Sequence, residues 1–242
     1  GIGDEDAWAQ EYELKWLDEA SAWLSYDLIS SCEDEAAGRR EHYGRGPCFV
    51  GWDIAVRGDL SVIFVLEQVG DVMWTREVVT MRRVSLTEQY EVFGEVMRRY
   101  RVARACLDQT GLGEGPVAEM QRRHGTDRIE GVIFTGPTKL VLATGGKQAF
   151  EDRTVRIPMG DPVLRADLHK LRRVASATGA PRFVAERDDD HADRTWALFL
   201  ALHAAGDGGE VYEYSPAGRG TDTSAGGSIF GQSTRDRFSP DL

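Results

Sequence analysis

The stretch that decides the fold is Cys48-Phe49-Val50-Gly51-Trp52-Asp53, an apolar run that ends in an aspartate. Its length and apolar side chains predict a buried β-strand. A turn at Gly58-Asp59 leads into a second predicted strand at 61–68, and Gly70-Asp71 leads into a third at 72–81. Because Gly and Asp adopt the backbone conformations that tight hairpins need, these three strands are predicted to form an antiparallel meander.

Helix and strand signals alternate downstream of the meander. Ser85 and Glu88 form a capping-box pattern that begins a helix reaching about Arg101. Arg104–Asp108 is a short apolar strand that ends in a second acid. The later predicted elements are a helix at 117–124, a strand at 129–135, helices at 138–152 and 162–171, a hairpin at 172–187 and a helix at 192–205. This order predicts an α/β domain with a mixed central sheet (an antiparallel meander plus parallel strands) and helices on both faces.

Composition divides the chain into three parts. Residues 4–37 carry apolar side chains at the three- and four-residue spacing of an amphipathic helix, and a loop rich in Gly and charge follows. We therefore expect residues 1–46 to be a helical linker and residues 47–206 to be the α/β domain. The tail, 207–242, is rich in Gly, Ser and Thr and is expected to be flexible. Since Gly1 is not an initiator Met, the chain is expected to belong to a longer protein.

The charge balance limits the partners that the chain can bind. The net charge is -11, which opposes tight binding to a polyanion. Basic residues nevertheless cluster at 98–104 and 165–173, so these two regions can still contact nucleic acid locally. No apolar run approaches about 18 residues and no signal peptide is visible, so no membrane partner is expected. The three cysteines, Cys32, Cys48 and Cys106, form no CxxC pair and fit reduced thiols.

Three aspartates stand where a cleft would form. Asp53 and Asp108 each end a predicted strand, and Asp193 opens the helix at 192–205. If the two strands are neighbours, their terminal carboxylates face one cleft and the helix adds the third. Converging carboxylates repel one another unless a divalent cation lies between them, and hard oxygen ligands suit Mg²⁺ or Mn²⁺. Two such ions about 4 Å apart can activate water on one side and stabilise a leaving oxygen on the other.

The motifs around these aspartates resemble the C-terminal nuclease domain of bacteriophage large terminases, DNA-packaging proteins of the ribonuclease-H-like superfamily. Residues 8–24 also resemble the stretch that links the packaging ATPase to the nuclease. The matching motifs are Gly51-Trp52-Asp53-Ile54-Ala55, Leu107-Asp108-Gln109-Thr110-Gly111-Leu112-Gly113 and His191-Ala192-Asp193-Arg194-Thr195-Trp196-Ala197-Leu198. The resemblance extends from about Trp8 to Ala205. It implies a ribonuclease-H-like fold in which Asp53 bridges two metal ions, Asp108 holds one and Asp193 holds the other.

The function that the resemblance implies is a metal-dependent DNA endonuclease that cuts concatemeric viral DNA during genome packaging, in the cytoplasm of the infected bacterial host. The implied partners are double-stranded DNA, the ATPase domain of the full-length chain, the portal and the small terminase subunit. Two alternatives stay open: a ribonuclease-H-like junction resolvase or transposase, and a DNA- or portal-docking module that does not cleave. The helical segment at 8–28 argues against the first, and acids at two strand ends and a helix start argue against the second.

Several further residues are candidates for the site. Asp188, Asp189 and Asp190 stand just ahead of Asp193, so a fourth ligand, Asp190 above all, or a different third ligand remains open. Contacts to DNA phosphates are expected, more weakly, from Lys139, Lys147, Arg172 and Arg173. Residues 113–118 fit a GxGxxA pattern, but no acid stands at the ribose position, so we interpret them as a turn into a helix.

Overall fold

The apolar strand at 48–53 lies inside a mixed sheet. The computed structural model describes residues 22–55, 60–111, 114–175, 181–185 and 192–206. Within these residues the sheet has seven strands in the order β1-β7-β4-β3-β2-β5-β6. In chain order they are β1 (Glu33–Asp34), β2 (Cys48–Asp53), β3 (Leu60–Val69), β4 (Val72–Arg82), β5 (Val102–Asp108), β6 (Ile129–Val132) and β7 (Val155–Pro158).

The pairing confirms the predicted meander and mixed sheet. β2 pairs with β3 and β3 with β4 in antiparallel register, and β2 pairs with β5 in parallel register. β6 and β7 extend the sheet by further parallel pairs with β5 and β4. The first turn of the meander, 56–59, lies outside the described residues. In the second turn, Gly70 has a φ of 61°, a conformation that glycine adopts without steric cost.

Helices cover both faces of the sheet, as predicted. They are α1 (Tyr26–Ser30), α2 (Leu86–Arg99), α3 (Gly115–His124), α4 (Gly136–Glu151), α5 (Pro162–His169) and α6 (Asp193–Ala205), with a short 3₁₀ turn at Arg40–His42. One buried cluster gathers side chains of α2 and α3 against the sheet, and the other gathers those of α4, α5 and α6. The predicted hairpin is present as β8 (Leu171–Ala175) and β9 (Pro181–Ala185). No described helix has the length and hydropathy that a bilayer-spanning segment needs.

The prediction of one helix over residues 4–37 is wrong for the described part of that segment. α1 ends at Ser30, and Glu33–Asp34 pair with β7 at the edge of the sheet. Leu24, Ile29 and Cys32 are fully buried in the core shared with α5 and α6. The apolar spacing indicates which side chains are buried. It could not predict that the chain leaves the helix and pairs with a strand 124 residues downstream.

Buried acids of the sheet bind residues 40–46, the last part of the expected linker at residues 1–46. Glu67 on β3 accepts hydrogen bonds from the backbone nitrogen of Gly46 at 2.7 Å and from Arg76 Nε at 2.6 Å. Glu77 on β4 binds Arg40 and also accepts a bond from Arg99 Nη1 at 2.9 Å. Arg99 of the basic cluster at 98–104 is therefore already paired with a buried acid, although its own side chain is 37% exposed.

The close approach of α6 to β2 is permitted by a glycine. A Cβ on Gly51 would overlap the carbonyl oxygen of Ala197 and the nitrogen of Ala201. α6 is buried around nearly its whole circumference, which agrees with its almost uniformly apolar sequence after Asp193. Gly51 therefore allows α6 to lie directly on the central strand.

Candidate metal centre

Asp53 is the last residue of β2, and the adjacent strand holds its backbone. Trp52 Nε1 donates to Ser61 Oγ at 2.9 Å, and Ser61 Oγ in turn donates to the carbonyl oxygen of Asp53 at 3.1 Å. Trp52 is fully buried and stacks on Phe93 of α2 with ring centroids 4.8 Å apart. The end of β2 is therefore fixed before its carboxylate can contact a ligand.

Asp108 is the last residue of β5, which lies beside β2 in parallel register. The backbone nitrogen of Thr110 donates to Asp108 Oδ1 at 2.7 Å, and Thr110 Oγ1 accepts a bond from the nitrogen of Phe134 at 2.7 Å. The loop that follows β5 is therefore tied both to the carboxylate and to the start of α4. The carboxyl ends of adjacent parallel strands share one edge of the sheet, and Trp52 pairs with Leu107. Asp53 and Asp108, which follow these two residues, therefore lie next to each other at that edge.

Asp193 is the first residue of α6, and a residue that the sequence did not single out holds that helix end. Asp167 on α5 accepts a hydrogen bond from the backbone nitrogen of Thr195 at 3.0 Å, while its carbonyl oxygen accepts one from Thr195 Oγ1 at 2.8 Å. Ala192, at the N-cap position, has no side-chain acceptor. Asp167 therefore replaces the missing cap from a distant part of the chain.

Asp167 is itself buried and is paired with a cation. Its Oδ1 lies 2.7 Å from Lys170 Nζ, and its side chain is only 4% exposed. The sequence feature that could have predicted a buried acid is the position of Asp167 on α5 between Leu164 and Leu168, which are buried. A buried acid needs a partner. That signal indicates a buried acid, but not the helix end that the acid contacts.

The charges of the other two predicted aspartates act on Asp53. Burial, together with the negative charges of Asp108, Asp193 and then Asp167, raises the pKa of Asp53 well above its ordinary value. Burial also raises the pKa of Asp108, although its hydrogen bonds from Thr110 lower it in part. The structure thus brings Asp53, Asp108 and Asp193 together in a place where metal-free carboxylates are costly to ionise.

Lys139 faces the same carboxylates. Its positive charge lowers the pKa of both Asp53 and Asp108. Its Nζ lies 5.5 Å from the ring centroid of Phe134 and 5.1 Å from that of Trp196, which is one helical turn after Asp193. Two aromatic faces therefore hold the ammonium group beside the cluster.

The other predicted contact residues have varied surroundings. Lys147 lies 4.7 Å from the Trp23 ring centroid and 3.8 Å from a carboxylate oxygen of Glu151. Arg172 is 8% exposed and donates to the carbonyl oxygen of His169, so its guanidinium does not face solvent. Arg173, next along β8, is exposed. Asp188, Asp189, Asp190 and His191 lie outside the described residues.

The donor set fits a hard divalent cation. The cluster consists of carboxylate oxygens, which are the ligands that Mg²⁺ and Mn²⁺ prefer. A cation between Asp53, Asp108 and Asp193 would offset the repulsion that raises the pKa of Asp53. A mixed sheet with helices on both faces and acids at the ends of adjacent parallel strands defines the ribonuclease-H-like class of α/β proteins.

The family whose model matches this chain is described as the terminase RNaseH-like domain, and the match covers residues 50–205. Because that is more than half of the chain, the chain belongs to this family. A curated relative, the terminase ATPase subunit of Escherichia phage P2, is 22% identical over an alignment of 182 residues that covers 73% of this chain and 30% of that protein. The chain therefore spans less than a third of the length of this relative.

Solved structures of large terminases share the fold. The large terminase nuclease of thermophilic phage G20c with bound magnesium gives a TM-score of 0.60 at 19% identity, over 73% of this chain and 95% of that chain. The large terminase nuclease domain of Thermus phage P74-26 gives 0.58 at 18% identity, over 75% and 95%. The HK97 bacteriophage large terminase gives 0.55 at 13% identity, over 76% of this chain and 43% of that chain.

Proposed function

We propose that this chain is the nuclease part of a phage large terminase and that it hydrolyses phosphodiester bonds of double-stranded DNA. The observation that carries the proposal is the convergence of Asp53, Asp108 and Asp193 from two adjacent parallel strands and one helix start. A carboxylate whose pKa is raised by burial and by the charges of Asp108 and Asp193, as that of Asp53 is, is unfavourable in its ionised form without metal. A bound dication would offset both effects. A docking surface has no need for such a cluster.

The proposed cofactor is a pair of Mg²⁺ or Mn²⁺ ions. In this proposal Asp53 bridges both ions, Asp108 holds one and Asp193 the other, while Asp190 remains a weaker candidate ligand. Bound ions would supply an activated water and charge stabilisation for the leaving oxygen. The related nuclease of phage G20c, whose structure contains magnesium, supports the choice of a divalent metal.

The protein's own contribution is to hold these carboxylates in fixed positions. Ser61 holds the backbone of Asp53, and Thr110 holds the Asp108 side chain. Asp167 holds the first turn of α6 through the backbone nitrogen of Thr195. Carboxylates that are already in place need little reorganisation when charge develops on the phosphate, which is the basis of electrostatic preorganisation.

Lys139 is the proposed contact to the phosphate next to the cleaved bond. Its ammonium group lies close enough to Asp53 and Asp108 to lower the pKa of both. Arg173, exposed on β8, is proposed to contact the DNA backbone farther from the cluster. Lys147 and Arg172 stay weaker candidates, because Lys147 already pairs with Glu151 and Arg172 is buried.

The wider role follows from the family. We infer that the full-length protein also carries the packaging ATPase, since the chain spans only 30% of the phage P2 ATPase subunit. In that setting the nuclease would cut concatemeric viral DNA in the cytoplasm of the infected bacterium. The portal and the small terminase subunit would be its other partners. A motor that delivers the DNA removes the need for tight autonomous binding by a chain of net charge -11.

The decisive experiment is plasmid nicking in Mg²⁺, Mn²⁺ or chelator. Asp53→Asn, Asp108→Asn and Asp193→Asn are each expected to abolish nicking, because each removes an oxygen charge that would hold an ion. Without metal, Asp53→Asn should melt at the same or a higher temperature than the wild type, since one repelling carboxylate is gone. Mn²⁺ should raise the melting temperature of the wild type more than that of the three variants.

Asp71→Asn is the matched control. It is the same substitution at an exposed residue in the β3–β4 turn, at the opposite end of β3 from the residue that pairs with Asp53. This variant should nick at the wild-type rate. Nicking by Asp53→Asn at that rate would overturn the proposal. DNA binding without any metal-dependent nicking by the wild type would favour the docking role instead.

A further inference from the structure

A second group of side chains with metal-ligating atoms shares no residue with the aspartate cluster. Cys106 on β5, Glu130 on β6 and His203 on α6 have ligand atoms that all lie within 4.8 Å of one another. Cys106 and Glu130 are direct partners in the parallel pairing of β5 and β6, so their side chains lie side by side. His203 is ten residues after Asp193, about 15 Å farther along the helix. Cys106 stands two residues before Asp108 on β5, about 7 Å along the strand, so the two groups are neighbours there but share no residue.

The donor atoms of this group are available. Cys106 Sγ lies 3.9 Å from Glu130 Oε2. The Arg104 guanidinium donates two hydrogen bonds to that same oxygen and a third to the carbonyl oxygen of Gly206. Within the described part of the chain Oε1 accepts no hydrogen bond. Among the same residues the His203 ring has no hydrogen-bond partner. The Glu130 side chain is 33% exposed, which gives an ion a route from solvent.

We propose that Cys106, Glu130 and His203 bind a divalent cation of the zinc class. A thiolate, an imidazole and a carboxylate are the three ligand types that Zn²⁺ takes in proteins, whereas Mg²⁺ and Mn²⁺ prefer oxygen alone. Zinc–ligand bonds of about 2.0–2.3 Å place tetrahedral ligands roughly 3.2–3.8 Å apart, so ligand atoms that lie within 4.8 Å of one another need to close by at most about 1.6 Å. The thiol proton leaves to solvent, and water fills the fourth position.

Arg104 completes the arrangement. Its bonds to Glu130 Oε2 would orient the carboxylate and leave Oε1 open to an ion, which is the usual role of an outer hydrogen-bond partner at a metal site. The bound ion would join β5, β6 and the last turn of α6. Since α6 begins at Asp193, the ion would fix the far end of the helix that carries a residue of the aspartate cluster. This proposal does not depend on the nuclease activity.

Co²⁺ titration tests the site directly, because Co²⁺ takes zinc ligands and gives a charge-transfer band only when a thiolate binds. The titration uses the full chain carrying Asp53→Asn, which weakens the aspartate cluster. One equivalent of Co²⁺ should produce the band, Zn²⁺ should remove it, and excess Mg²⁺ should leave it unchanged. Cys106→Ala should abolish it, and Cys32→Ala, another buried free cysteine, should retain it.

A second readout covers the case in which Cys106→Ala does not fold. His203 is only half-buried, so His203→Gln should fold. It should weaken Zn²⁺ binding by more than the roughly 10–100-fold that loss of an outer partner costs, and Zn²⁺ should no longer raise its melting temperature. The absence of a thiolate band in the parent protein overturns the proposal. Equal Zn²⁺ affinity in His203→Gln and the parent overturns it as well.

Discussion

Replacing Asp167 by alanine tests whether the aspartate cluster depends on the cap of α6. The change removes the acceptor for the backbone nitrogen of Thr195, 3.0 Å away, and the carboxylate that pairs with Lys170 at 2.7 Å. Loss of a helix cap costs about 1 kcal/mol, and loss of a buried hydrogen bond to a charged group costs about 1–3 kcal/mol. We therefore expect Asp167→Ala to lower the free energy of unfolding by about 2–4 kcal/mol.

The stability loss should appear as a fall in melting temperature of roughly 4–16 °C for a chain of this size. Asp167→Asn should lose less, because its amide oxygen can still accept the bond from Thr195. Displacement of the α6 start moves Asp193, so the Mn²⁺ concentration that gives half-maximal nicking should rise about 10–100-fold in Asp167→Ala. The measurements are thermal unfolding with and without Mn²⁺ and nicking at graded Mn²⁺.

Ser85→Ala is the matched control, because Ser85 caps α2 through the nitrogen of Glu88 and α2 carries no residue of the cluster. It should lower stability by about 0.5–2 kcal/mol and leave the Mn²⁺ dependence unchanged. If Asp167→Ala lowers stability but keeps the wild-type Mn²⁺ dependence, Asp167 does not position Asp193. An unchanged melting temperature would show that the cap itself contributes nothing.

Two further predictions concern pH and helix packing. Because the pKa values of Asp53 and Asp108 are raised in the folded, metal-free protein, that state binds more protons than the unfolded chain. Its melting temperature should therefore fall as pH rises from the ordinary aspartate pKa through the raised pKa values. The rise in melting temperature that Mn²⁺ produces should grow over the same pH window. If that rise is the same at every pH, the charges of Asp108 and Asp193 do not raise the pKa of Asp53. Gly51→Ala places a methyl group against the backbone of α6, so it should cost about 1–3 kcal/mol or more and reduce nicking. Gly145→Ala, where an added Cβ meets nothing within 4 Å inside α4, should stabilise by about 0.5–1 kcal/mol, and equal melting temperatures for the two variants would refute the close-packing explanation.

The sequence was sufficient for features that local patterns encode. Apolar runs separated by Gly-Asp turns predicted the β2–β3–β4 meander. An acid at the end of an apolar strand identified Asp53 and Asp108 as candidate site residues. The capping box at Ser85 was also predicted, because both of its partners lie within four residues and both bonds are present. These signals act over a few residues, so they can be read without knowledge of the fold.

Contacts between distant residues could not be predicted in the same way. Asp167 caps a helix 28 positions away, and β1 pairs with a strand more than 120 positions away. The cluster of Cys106, Glu130 and His203 draws one residue from each of three elements. In each case the residue types are ordinary at their own positions, and only the packing of α6 and β7 gives them partners.

The pairing of β1 with β7 also has a practical consequence for how the domain can be produced. An open strand edge is a template for pairing with other chains, and proteins commonly cover such edges to avoid aggregation. β1 covers β7, and Leu24 and Ile29 fill the adjacent core. A fragment that began at residue 47, the boundary expected from composition, would uncover both the edge and this apolar surface. Recombinant fragments intended to remain monodisperse should therefore retain the chain from residue 22 onward.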